Sequence, residues 1–132
     1  MKLNKNNAQL INKKVFTLHD DILVSLYFYR DSKKLLLNCL KSCDANRSYT
    51  ICFFEVVGLQ MSSCDFWGAS ECILDFEYID TSPILIPILL DKWAKTPVLA
   101  STPTYSDVIE VLLTMSSGDT FRIACKSIEF KM

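Results

Sequence analysis

The sequence predicts a mainly all-β fold, an antiparallel β-sandwich or half-barrel of about seven to eight strands with at most one short helix near 87–94. Three observations carry that prediction. Apolar residues alternate with a period of two along several runs, most clearly Asp21–Arg30 and Glu71–Asp80. Turn-forming clusters at Asp31-Ser32-Lys33, Asp44-Ala45-Asn46-Arg47 and Ser116-Ser117-Gly118-Asp119 separate these runs at strand-like intervals. Sustained helical periodicity is absent outside one segment, which disfavours an α/β fold.

Taken in order, residues 1–8 are polar and expected to fray, and 9–18 read as a first strand. Asp21–Arg30 places Ile22, Val24, Leu26 and Phe28 on one side, with Ser25, Tyr27 and Tyr29 opposite. Leu35–Cys43 returns as the next strand. Tyr49–Val57 is apolar on both sides, as a central strand would be, and Gly58 ends it. Residues 59–70, with Phe66-Trp67-Gly68, read as an irregular connection. Ser82-Pro83 offers a helix start, but Pro87 restricts any helix to about 87–94. Thr96–Thr104 holds two prolines and reads as loop. Val108–Met115 and Thr120–Phe130 form a final hairpin. Phe121, Ile123 and Cys125 share one phase while Ile128 and Phe130 take the other, which predicts a β-bulge near Lys126–Ser127.

The 132 residues suit a single domain, 1–132, with half of the residues apolar and 22% charged, a composition that folds rather than stays disordered. A net charge of −1 weighs against a general nucleic-acid binder, which carries a basic footprint. Six cysteines lie partly inside apolar strand-like runs and form no Cys-x-x-Cys pair. Buried free thiols are the expectation, with neither disulfides nor structural zinc. The N-terminus lacks a signal-peptide apolar region, and no apolar run reaches the roughly 18 residues of a membrane span. A reduced, cytoplasmic protein away from the membrane follows as the expectation.

Charge is unevenly spread. Residues 1–60 hold nine bases against five acids, and 61–132 hold five bases against ten acids. Between Met61 and Asp91 there are six acids and no Lys or Arg. In the strand Glu71–Asp80, a period of two sets Cys72, Leu74, Phe76 and Tyr78 on a core face and Glu71, Asp75 and Glu77 on the opposite face. A local like-charge face costs self-repulsion, and its simplest reason is a basic partner.

Catalytic constellations do not assemble. His19 is the only histidine, and a phosphohydrolase-type site needs several. Three isolated glycines make neither a Walker loop nor a dinucleotide fingerprint. The expectation is therefore a non-enzymatic protein with no cofactor and no bound metal. A small-ligand carrier with aromatics such as Tyr27, Tyr29 and Phe66 around an interior cavity is one rival. A homo-oligomeric module that pairs exposed strand edges is another.

The order of short motifs resembles the small β-rich immunity proteins of bacterial toxin–immunity systems, including those of contact-dependent growth inhibition. The motifs are Leu18-His19-Asp20 before an alternating strand, Phe54-Glu55-Val56-Val57-Gly58-Leu59, Trp67-Gly68, and Ser117-Gly118-Asp119-Thr120-Phe121-Arg122-Ile123. The resemblance implies a cytoplasmic protein that binds one cognate toxin domain, often a basic nuclease, and occludes its active site. It carries over no individual binding residues. Charge and aromatic content nominate Asp65, Trp67, Glu71, Asp75, Glu77 and Asp80 as the partner-binding set.

Overall fold

A computed structural model describes residues 2–14, 16–44, 46–62, 72–95 and 106–132. Among these residues, nine strands form two antiparallel sheets with one helix over the outside, the expected sandwich-like architecture. The first sheet runs β1 (Lys2–Leu3), β9 (Ser127–Lys131), β4 (Ser48–Phe54), β3 (Lys34–Leu40) and β2 (Ile22–Tyr29). The second runs β5 (Gly58–Met61), β8 (Thr120–Cys125), β7 (Ile109–Met115) and β6 (Ile73–Tyr78). Between them lies one core, built by Leu35, Leu37, Ile51, Phe53 and Ile128 from the first sheet. Ile73, Phe76, Val111, Leu113, Met115, Phe121 and Ile123 meet them from the second.

The parity change in the last strand has a different cause from the expected bulge. The chain bends at Lys126 and passes from one sheet into the other, so β8 and β9 each face the same core from opposite sides. A strand that switches sheets exchanges its inward phase at the corner. A second crossing follows β4. Glu55 takes a left-handed backbone (φ 50°), and the amides of Val56 and Val57 donate to the carbonyls of Lys33 in one sheet and Ala124 in the other. Gly58 therefore begins β5 rather than merely ending β4, and part of the expected irregular connection is strand.

Two further expectations are corrected at the N-terminus. Residues 2–8 are anchored: β1 pairs with β9 through Lys2↔Glu129 and Leu3↔Ile128, and Leu3 and Ala8 are fully buried. The segment expected as a first strand instead turns through a 3₁₀ helix, Ala8–Leu10, which inserts Ala8 and Ile11 into the core. Single apolar residues separated by polar ones were the only trace of this in the sequence.

Both long edge strands carry register shifts. β2 slips at Val24, so Leu23 and Leu26 reach the core while Val24 faces solvent. β6 slips at Leu74, so Ile73 is buried and Leu74 exposed, the reverse of strict alternation. One extra residue in an edge strand flips the phase on one side of it. Beyond the slip, Phe76 faces the core as expected.

The helix α1 spans Leu85–Ala94, slightly longer than expected, and Pro87 sits in its first turn where its missing N–H leaves no intrahelical acceptor unpaired. Its own N-cap residue, Ile84, makes no side-chain cap. Glu110 of β7 supplies one: its carboxylate accepts from the amides of Ile84 and Ile86, both at 2.9 Å, and from Arg122 Nη1 at 2.9 Å. Leu85, Ile86 and Leu89 then pack on Ala124 and Val57. Gly58 permits this approach, since a Cβ there would stand 2.5 Å from Leu89 Cδ1 and 3.3 Å from Leu85 Cδ2.

Burial alone would raise the Glu110 carboxyl, but the amides of Ile84, Ile86 and Leu85 and the Arg122 guanidinium together hold it below the ordinary glutamate range. A folded-state value below the unfolded one means that the stabilisation is complete above the unfolded value. It is lost as pH falls through the folded value. Acid should therefore loosen α1 first, seen as a fall in far-UV circular dichroism below about pH 4. Glu110→Gln should flatten that acid dependence while costing about 3 kcal/mol at neutral pH, because it leaves Arg122 without its buried partner. Gly58→Val should cost about 1–3 kcal/mol in chemical denaturation, since two leucines of α1 must shift.

Candidate functional site

The acidic face is carried by β6, which forms one edge of its sheet and pairs with β7 in the register Asp75↔Thr114, Phe76↔Leu113, Glu77↔Leu112 and Tyr78↔Val111. Phe76 and Tyr78 pack on the core, so Asp75 and Glu77 project from the outer face. Of the six nominated residues, Asp65, Trp67 and Glu71 lie outside the described residues. Asp75, Glu77 and Asp80 are brought together on one side of the molecule.

Their charges are not equivalent. Asp75 Oδ1 is bound by Lys14 Nζ at 2.6 Å and also accepts from the Phe76 amide at 3.0 Å. Glu77 and Asp80 line an open groove of about 570 Å³ together with Asn12, Lys14, Ser82 and Ile84. Arg122 also reaches this groove, but its guanidinium is held by the buried Glu110. Among the described residues, the exposed negative charge of the face therefore rests on Glu77 and Asp80. Tyr78 beside them has its phenol pushed up, first by burial and then by the Asp80 charge.

An exposed edge strand normally offers unpaired backbone groups to any passing strand. On β6 several of these groups are taken. Asn12 mimics a neighbouring strand: its side-chain amide donates to Tyr78 O and its carbonyl accepts from Tyr78 N, both at 2.8 Å. At the other end Ile73 N donates to Asp21 O and Ile73 O accepts from Asp20 N, both at 2.8 Å. The Phe76 amide is closed by Asp75. Strand addition along this edge is thereby hindered at Ile73, Phe76 and Tyr78.

Sequence reasoning missed a second component. The first part of helix α1, Leu85–Leu90, is apolar all round, and Leu85, Ile86 and Leu89 pack on the sheet. Ile84, Ile88 and Leu90 are left about half exposed, and Ile84 forms part of the acidic groove. Positions 84 and 88 lie one turn apart on the same stripe, which extends the apolar strip away from Glu77 and Asp80. The signal was present in the run Ile84–Leu90. A helix without a polar side buries everything or exposes something apolar.

His19 Nδ1 stands 3.6 Å from Asp20 Oδ1 with both side chains largely exposed. The buried acid of that motif is Asp21, which accepts from Tyr49 Oη at 2.6 Å and from the Ser42 amide at 2.9 Å, with Lys41 Nζ at 3.4 Å. Cys39, beside this network, has its thiol pushed up to about 12 by burial, which makes it a poor nucleophile. Cys39, Cys43, Cys52, Cys72 and Cys125 are free thiols. Tyr27 and Tyr29 are about half exposed to solvent, and Phe66 lies outside the described residues. Among the described residues, no cluster of three or more potential metal ligands occurs, and no helix is long and apolar enough to cross a membrane.

No protein-family model and no curated protein matches this chain.

The edge cap predicts a specific exchange pattern. Asn12→Ala should speed hydrogen exchange of the Tyr78 amide and cost about 1–2 kcal/mol of stability. Asn12→Asp should retain the bond to Tyr78 N yet lose the one to Tyr78 O, protecting the amide more than alanine does.

Proposed function

We propose that this protein is a binding protein that works without turnover, docking a basic protein domain against the side formed by β6 and α1. What supports the reading most directly is one juxtaposition: the uncovered apolar stripe Ile84–Ile88 adjoins a groove rimmed by Glu77 and Asp80. Apolar anchors beside charges of one sign are the ingredients of a specific interface. The anchors supply packing, and the charges steer encounter and reject partners of the wrong sign. Because the β6 edge is capped, the surface selects by side-chain complementarity rather than by strand addition.

The partner class that fits the motif resemblance is a cytoplasmic toxin domain with a cationic active-site cleft, such as a nuclease. On this reading the chain acts as its immunity protein, and Glu77 and Asp80 occupy positions that substrate phosphates would take. Asp65, Trp67 and Glu71 belong to the same proposal as further contacts, and Asp75 contributes less than Glu77 because Lys14 neutralises it.

The test is co-purification with the toxin domain encoded beside this gene, followed by stopped-flow association. The parent protein should bind and protect cells. Glu77→Ala/Asp80→Ala should slow association, and any desolvated member of such a charge pair should cost about 2–5 kcal/mol. Added salt should slow association much more than dissociation, as the Debye length falls from about 10 Å at 0.1 M to about 3 Å at 1 M. Ile88→Asp should instead speed dissociation. A double variant that binds and protects like the parent sinks the proposal.

A further inference from the structure

The two long edge strands are treated in opposite ways. β6 has outer backbone groups at Ile73, Phe76 and Tyr78 closed by Asp20, Asp21, Asp75 and Asn12, whereas among the described residues β2 has only Ile22 bridged, to Cys72. Among the described residues, Leu23–Tyr29 pair with β3 alone. This run contains no charge and no proline. Tyr27, Phe28 and Tyr29 along it are 52%, 44% and 49% exposed. The common safeguards of a free edge are lysine, proline, shortness or a cover, and among the described residues none of them is present beyond the slip at Val24. The other two edges are short: β1 has two residues and β5 four.

We propose that β2 pairs antiparallel with β2 of a second copy of this chain, joining the two five-stranded sheets across a two-fold axis. The charges at its ends favour a second copy over a foreign strand. Exposed Asp20 precedes β2, while Arg30, Asp31 and Lys33, all exposed, follow it in the hairpin with a net positive charge. Antiparallel self-pairing sets the basic end of each copy against the acidic end of the other, and a two-fold makes that match twice. The regular part of the strand after the Val24 slip is Ser25–Tyr29, which centres the axis on Tyr27. In that register Ser25 faces Tyr29 and Leu26 faces Phe28, so outer-face residues meet outer-face residues and inner-face residues meet inner-face residues. The surface is separate from the one on β6 and α1, so the inference does not depend on the proposed docking role.

Sedimentation velocity of the full chain across the micromolar to millimolar range tests this. The weight-average mass should climb toward that of a dimer. Hydrogen exchange of the Ser25–Tyr29 amides should slow with concentration, while that of β6 amides does not. Tyr27→Lys sets two ammonium groups opposite each other on the axis and should weaken association about tenfold or more, while Tyr27→Phe should leave it intact. Circular dichroism and thermal unfolding show whether the lysine variant is folded, as expected for a half-exposed position. Asp20→Asn and Lys33→Gln should each weaken the dimer, and the double variant should weaken it by less than the product of the two effects. A parent that stays monomeric, or association that Tyr27→Lys does not disturb, overturns the proposal, as does slowed exchange at another edge instead of β2.

Discussion

One continuous run of chain, Thr120–Lys131, supplies an interior strand to each sheet: β8 lies between β5 and β7, and β9 between β1 and β4. The bend at Lys126 therefore sets the spacing and relative direction of both layers, and the other strands take register from it directly or through their neighbours in the sheet. Lys126 itself remains accessible to solvent, within 3.4 Å of Glu55 and 3.7 Å of Asp107. Its amide donates to Phe54 O. Cys125 and Ser127 on either side are buried, so the corner is pinned by packing while its charge stays wet.

Two buried carboxylates do the corresponding work at the periphery. Asp21 ties the segment before β2 to Tyr49 on β4 and to the turn after β3, and its backbone holds the start of β6. Glu110 ties the N-terminus of α1 to the outer face of the second sheet. Each is hydrogen-bonded at both oxygens and faces a cation, the condition under which a buried charge is tolerated. Together they frame the acidic groove: Asp21 positions one end of β6, and Glu110 positions the helix whose Ile84 forms the groove's apolar side.

The treatment of sheet edges divides the surface by mode of recognition. β6, closed at Ile73, Phe76 and Tyr78, offers mainly carboxylates and apolar side chains, which suits a selective partner. Among the described residues β2 keeps an unpaired edge beyond Ile22, with aromatic faces and no charge along its length, which suits an identical strand. Asn12 is the residue that separates the two behaviours. A single side-chain amide with one donor and one acceptor at strand spacing replaces a whole neighbouring strand at Tyr78.

The sequence by itself determined the fold class, the turns at Asp31–Lys33 and Ser116–Asp119, the central place of β4, and the short helix over residues near 87–94. These rest on period, turn chemistry and proline placement, which are local properties. It also located the acids on the outer face of β6, since alternation after the slip is unbroken from Asp75 to Tyr78. Only the tertiary structure decided that the phase change near Lys126 is a sheet crossing, that Leu3 and Ala8 belong to the core, and that Asp75 is neutralised by Lys14, 61 residues away. The pairing of Glu110 with the helix start and of Asn12 with Tyr78 belongs to the same group, at separations of 26 and 66 residues. An isolated acid or amide looks the same in sequence whether it meets water or a distant backbone. Which of these it meets depends on how the two sheets close over one another, and that contact is long-range.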